Sequence, residues 1–310
     1  MLNLVKVENI SFDELRDNSF DIGIFASGYE SRCIFLAQNI DSLKIKYKLV
    51  LGFFEHSDDE TRKNNDEFYE KEYSKILVIS SQEEKKIYSH LISLFAMMKE
   101  QSEIRILIDY TSMSRLWYSG ILNFIRLQSK KEIVIFLNYS LGQYDESFLD
   151  NSYTSINSIP FHEGTLSSNT KTLLVLAVGF TPYVIRSVIE EIEPNQTIGI
   201  LPISIDNKHE MFSSEIKTDI LVKDIDEWIN CPINDLESIF STYAYITNTN
   251  LSSRDILFLS LGPKIFTVAS LLVSQRFHQV TCLYLKSSGS KKNDVKPTGD
   301  LICNKITYCL

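Results

Sequence analysis

Glycine and proline are scarce, eleven and seven in 310 residues, about half the share of about 12% that globular chains usually carry. That excludes collagen-like and low-complexity chains, and it makes each glycine at the end of an apolar run informative. The five cysteines (Cys33, Cys231, Cys282, Cys303, Cys309) form no C-x-x-C pair and no Cys/His zinc spacing. Their odd number and scatter point to reduced thiols and a cytoplasmic setting. The histidines (His56, His90, His162, His209, His278) also lack metal spacing, so neither a metal nor a cofactor is expected. No apolar run approaches the roughly 18–20 residues of a membrane span. Residues 1–8 lack the basic and apolar regions of a signal peptide, so no membrane contact is expected. Basic charge is in deficit, 31 Lys+Arg against 40 Asp+Glu for a net −9. This argues against bulk nucleic-acid binding, which needs a phosphate-neutralising surface.

What is present is an ordinary globular balance, 44% hydrophobic and 23% charged, and a prior of roughly 150 residues per domain predicts two domains. Short apolar runs alternate with longer amphipathic stretches, the pattern of β/α units around a parallel sheet. In the first half the pattern predicts strands at 21–26, 48–54, 75–80, 105–109 and 132–138. Helices are predicted at 31–39, 60–71, 83–99 and 114–127. The mixed-charge stretch from Asp58 to Lys71 reads as a solvated helix face. In the second half, strands are predicted at 172–178, 197–203, 219–222, 255–260 and 279–286, with helices at 182–192, 234–247 and 264–277.

The halves read as copies. Each opens with a strand ending in Gly-aromatic (Gly28-Tyr29, Gly179-Phe180), and the strands ending at Asp109 and Ser260 are each followed by a helix. Tyr139-Ser-Leu-Gly142 and Lys286-Ser-Ser-Gly289 close the two halves, so the glycine-to-glycine spans are 114 residues (142−28) and 110 (289−179). The expected fold is α/β: two tandem Rossmann-like parallel-sheet domains related by internal duplication, 1–150 and 171–310, joined by a linker at 151–170.

In open parallel sheets ligands bind beyond the carboxyl ends of the strands, where the strand order reverses. That rule selects the loops after each half's first and fourth strands. In the first loop Gly28 permits close backbone approach, Tyr29 and Glu30 flank it, and Arg32 is a cation for a phosphate. It carries no G-x-G-x-x-G, so a dinucleotide cofactor is not expected. In the loop after the fourth strand, Asp109 is placed to accept from a ribose hydroxyl or to hold the turn. Thr111, Ser112 and Ser114 add hydroxyls and Arg115 a cation at a helix start. The second half offers Gly179 and Thr181, then Gly262 and Lys264. His56 stands near the same face and reads chiefly as structural.

Ile106-Leu-Ile-Asp-Tyr-Thr-Ser-Met-Ser-Arg115 resembles the strand-four motif of CRISPR-associated Rossmann-fold (CARF) domains and the related SAVED domains. That motif runs apolar strand, Asp, any residue, Thr, Gly, Gly, Thr, Lys, then a helix; here Ser112 and Met113 replace the glycines and Arg115 the lysine. The resemblance implies a cytoplasmic sensor of a nucleotide, possibly a cyclic oligonucleotide, in prokaryotic antiviral defence. Asp109, Thr111 and Arg115 would contact ligand, with Gly28 and Tyr29 beside them. SAVED domains fuse two CARF-like units, which agrees with the duplication. Such a sensor would act through a protein partner or by self-assembly.

Two other readings stay open. One is a metal-independent enzyme cleaving a nucleotide or phosphodiester at the same face, its catalytic residues unknown. The other is a non-catalytic docking subunit of a defence complex. A nuclease-like Asp206, Glu215, Lys217 set is disfavoured because the duplication already accounts for that segment. Lys286, Lys291, Lys292 and Lys296 form a basic loop that could fold over an anion.

Overall fold

The computed structural model describes residues 1–143, 153–165, 171–179, 182–203, 224–287 and 294–310. The chain divides into two compact units, Met1–Asp145 with Lys292–Leu310, and Glu146–Lys291.

The first unit is built on five parallel strands: β2 (Phe20–Ser27), β3 (Ile45–Phe53), β4 (Ile76–Ile79), β5 (Glu103–Asp109) and β6 (Glu132–Gly142). β1 (Asn3–Ile10) and β13 (Pro297–Cys309) add antiparallel strands, giving the order β1-β13-β6-β5-β2-β3-β4. The helices are α1 (Phe12–Asp17), α2 (Phe35–Asn39), α3 (Glu60–Glu72), α4 (Lys85–Met97) and α5 (Arg115–Arg126). In β2 seven of eight residues are buried, as expected of a central strand covered on both faces, where alternation gives way to a continuous apolar run. Phe20 meets Phe136 edge to face at 5.2 Å, and Phe25 packs with Tyr69 and Tyr73.

In the second unit β7 (Tyr153–Ser158), β8 (Thr172–Ala177), β9 (Gln196–Ile203), β10 (Glu227–Pro232), β11 (Asp255–Ser260) and β12 (Thr281–Ser287) form a sheet of order β10-β9-β8-β11-β12-β7. All pairs are parallel except β12 with β7. α6 (Pro182–Ile192), α7 (Leu236–Asn250) and α8 (Lys264–Arg276) accompany it. Among the described residues, no helix is long and apolar enough to cross a membrane.

The protein is thus α/β, with two mostly parallel Rossmann-like sheets of seven and six strands. The parallel cores share one order, third-second-first-fourth-fifth: β4-β3-β2-β5-β6 and β10-β9-β8-β11-β12. Each core carries an antiparallel strand beside its fifth, and these two are exchanged along the chain. β7 follows β6 in sequence but pairs with β12; β13 follows β12 but pairs with β6.

This exchange alters the domain bounds read from sequence. Residues 292–310 belong to the first unit, because β13 lies between β6 and β1 with Ile302 opposite Tyr139 and Ile306 opposite Ile135 and Val7. The stretch 151–170, expected to be a linker, contains β7. Periodicity did not predict β1, β7 or β13, whose pairing partners are remote in sequence. The strand expected at 219–222 lies outside the described residues, and β10 is the third parallel strand of its sheet.

Candidate functional site

β2 and β5 are parallel neighbours, with Ile22 opposite Ile106 and Ile24 opposite Ile108, and the chain order reverses between them. The loops after them therefore leave the same edge side by side. They touch at Gly28, where an added Cβ would lie 3.2 Å from the Ser112 Cβ. Beyond that contact stand the half-buried Tyr29, Ser112, Ser114 and Arg115.

The first loop is held from α3. The Asn65 amide donates to the carbonyls of Gly28 (2.9 Å) and Glu30 (3.1 Å). Arg62, 1% exposed, donates to the Asp66 carboxylate and the Phe53 carbonyl, both at 2.6 Å, and the Ser27 hydroxyl donates to the same Asp66 oxygen at 2.5 Å. Gly52 in β3 makes the seat, since a Cβ there would fall 2.5 Å from the Arg62 guanidinium. The charged stretch expected to be a solvated helix face does present one, at Lys63, Asn64, Glu67, Glu70 and Lys71, but the opposite face is polar and buried as well. Arg62, Asn65 and Tyr69 are buried, and with Asp66 they form an i, i+3, i+4, i+7 stripe that apolar counting passes over because three of its members are polar.

Arg32 and Glu30, expected to face ligand, are turned into the fold. Arg32 is 8% exposed; it pairs with Glu30 at 2.8 Å and donates to the Tyr139 hydroxyl (3.1 Å) and the Ser140 carbonyl (3.2 Å). Burial opposes the guanidinium charge, but the neighbouring Tyr139 and Glu30 outweigh it and hold the pKa above its ordinary value.

The second loop is organised by Asp109 and Thr111, both buried. One Asp109 oxygen accepts from the Thr111 amide at 3.0 Å and from the Thr111 hydroxyl, and the Thr111 hydroxyl oxygen accepts from the Ser140 amide at 2.9 Å. This is an Asx-type turn tied to β6. Of the two roles weighed for Asp109, the structure shows it holding the turn. Ser114 caps α5 by accepting from the Trp117 amide at 3.2 Å and donates to the Ser81 carbonyl at 3.0 Å. The Trp117 ring stacks on Phe53 at 4.2 Å, and its indole donates to the Ser80 carbonyl at 3.1 Å. The loops after β4 and β5 are thereby joined.

Tyr29 meets His56 edge to face at 5.3 Å, and His56 adopts the left-handed conformation at φ 64°. Nearby, Glu55 accepts from the Ser80 hydroxyl at 2.6 Å and from the amide and hydroxyl of Ser81. Burial works against the Glu55 charge, but hydrogen bonds from Ser80, its own amide and Ser81 hold its pKa below the usual value. A lowered carboxylate pKa contributes stability that is present above the unfolded pKa and is lost as pH falls through the folded one. Glu55→Gln is therefore expected to reduce stability at neutral pH and to flatten the acid limb below about pH 4–5. Urea melts across pH 3–7 check this, and parallel wild-type and variant curves would refute it.

In the second unit the equivalent loops follow β8 and β11. A Cβ on Gly179 would lie 2.4 Å from the Leu261 carbonyl oxygen, and one on Gly262 would lie 2.7 Å from that of Val178, so the two backbones pass each other at both glycines. Half-buried Lys264 begins α8 directly after Pro263. Thr181, His209, Asp206, Glu215, Lys217, Gly289, Lys291 and Lys292 lie outside the described residues. Lys286 and Lys296 are exposed.

Among the described residues, no group of three or more His, Cys, Asp or Glu side chains is arranged to hold a metal ion. Sequence reasoning missed Arg62, Asn65, Asp66 and Tyr139 as supports of the site. No protein-family model matches the chain, and no curated protein matches it.

Proposed function

We propose that the protein binds a nucleotide at the carboxyl edge of its first sheet and acts as a sensor of it. The observation that carries this reading is the meeting of the β2 and β5 loops at Gly28 and Ser112, at the point where strand order reverses. The Ser112 hydroxyl, the Tyr29 ring and an arginine at a helix start suit a phosphate joined to a base. With Arg32 committed to Glu30, phosphate neutralisation falls to Arg115 in this unit, and to Lys264 at the matching place in the second. The likeness of 106–115 to the CARF strand-four motif makes cyclic oligonucleotides the class to test first. A sensor of this kind works through a partner protein or its own assembly.

Thermal melts against a panel of nucleotides and cyclic oligonucleotides test the proposal, with each ligand recovered afterwards for chromatography. At 100 times the dissociation constant a ligand contributes about 2.7 kcal/mol, a rise of about 5–10 °C for units of this size. The expected result is a rise that is lost in Arg115→Ala, with ligand recovered intact. Conversion to products would replace the sensor by an enzyme, and no rise across the panel would end both readings.

A further inference from the structure

The seven-stranded sheet of the first unit ends in two edges that are built differently. At β1 the register shifts between Leu4 and Lys6, and Lys6 pairs with Glu8 at 2.7 Å. A bulge and charges on the rim are how natural sheets keep an edge from pairing with another chain. β4, at the other end, reads Ile76-Leu77-Val78-Ile79, with no charge, no proline and no register shift. Val78 is 51% exposed, and Phe54, the residue after β3, is 71% exposed. One bond fixes the direction of the backbone groups. The Phe54 amide donates to the Ile79 carbonyl at 2.8 Å, so Ile79 faces β3. Alternation along the strand then turns the amides and carbonyls of Ile76 and Val78 outward. Among the described residues no strand lies beyond them.

We infer that a second copy of the chain docks on this edge, β4 against β4, antiparallel about a two-fold axis at Leu77. That register sets Ile76 opposite Val78 of the second copy, and Val78 opposite its Ile76. Each pair exchanges two hydrogen bonds, so all four outward groups of each strand are matched and none is left over. Leu77 meets its own counterpart in the closer, non-hydrogen-bonded pair. The ends match in charge. Exposed Lys75 stands opposite Ile79 of the second copy, one residue short of its Ser80. Ser80 and Ser81 are the residues whose hydroxyls and amide hold the Glu55 carboxylate. The axis repeats this approach of ammonium to carboxylate at both ends, and no like charges face each other between 75 and 79. A different partner would need an uncharged apolar strand with an ammonium beside it; a second copy supplies both. The pairing does not depend on what the candidate site binds. It does adjoin that site, because the Ser81 carbonyl accepts from Ser114 and the Ser80 carbonyl from the Trp117 indole.

The test is sedimentation velocity on the full chain with no ligand added. Wild type is expected to be a dimer at micromolar concentration and to dissociate on dilution. Val78→Pro removes an outward amide and keeps the bonds to β3, the one place where an edge strand tolerates proline. It is expected to weaken association at least about tenfold, with the melting temperature within a few degrees of wild type. Should the proline variant fail to fold, Val78→Lys charges the exposed rim, leaves the backbone alone and is expected to weaken association equally. Oxidation reads the register: Leu77→Cys is expected to cross-link across the axis, and Lys75→Cys is not. A wild type that stays monomeric to its highest soluble concentration would overturn the inference. So would a dimer that the Val78 variants leave intact. Cross-linking through Lys75→Cys in preference to Leu77→Cys would overturn the axis at Leu77.

Discussion

Arg32→Ala is expected to destabilise the first unit by about 3–5 kcal/mol, the loss typical of removing one partner from a buried charged pair. The guanidinium bridges the β2 loop to β6 through Glu30, Tyr139 and Ser140, and its ring contact with Tyr139 adds a cation–π component. Truncation leaves the Glu30 carboxylate, whose side chain is 17% exposed, without its cation and the Ser140 carbonyl without a donor. A companion variant separates scaffold from ligand contact. Arg32→Met with Glu30→Gln removes both charges while keeping the stem, and is expected to recover more than half of the loss. Were Arg32 mainly a ligand contact, the single variant would melt like wild type and lose binding alone. Urea unfolding measures this in a Trp228→Phe background, where Trp117 remains as the one tryptophan and reports the first unit.

Arg62→Ala is expected to lower the same transition by about 3 kcal/mol, somewhat less because the Asp66 side chain keeps 29% of its exposure and can rehydrate. The larger consequence is for geometry. Arg62 ties α3 to the end of β3 through the Phe53 carbonyl and, through Asp66, to Ser27 at the end of β2. Its loss frees the helix that also supplies Asn65 to the Gly28 and Glu30 carbonyls. Ligand affinity is therefore expected to fall together with stability, and a change below about 1 kcal/mol, normal for an exposed helix arginine, would contradict the burial seen here.

Both arginines mark where reading residues in order stops being sufficient. Arg32 follows a glycine at a strand end, where a cation is chemically apt for phosphate. Its direction is set instead by Tyr139 and Ser140, more than a hundred residues away. Arg62 sits in a run of charges whose apolar content is low. It is buried because Gly52 on a neighbouring strand leaves a space the width of a guanidinium. A polar side chain can be buried wherever its donors find fixed acceptors, and those acceptors are set by tertiary neighbours.

The sequence alone determined the α/β class, the ten-strand parallel pattern apart from its third strand in the second half, and the loops that stand at the reversal of strand order. Those properties are local: apolar runs bury on both faces of a parallel strand, and glycine permits the turn that follows. Only the tertiary structure decided that β7 and β13 exchange sheets, that 292–310 belongs with the first unit, and that Arg32, Asp109 and Thr111 hold the site's loops. An antiparallel strand beside a sheet carries the same alternation whichever sheet it joins, and a charge carries the same residue type whether it faces water or a buried carboxylate. Pairing between remote segments is what distinguishes them.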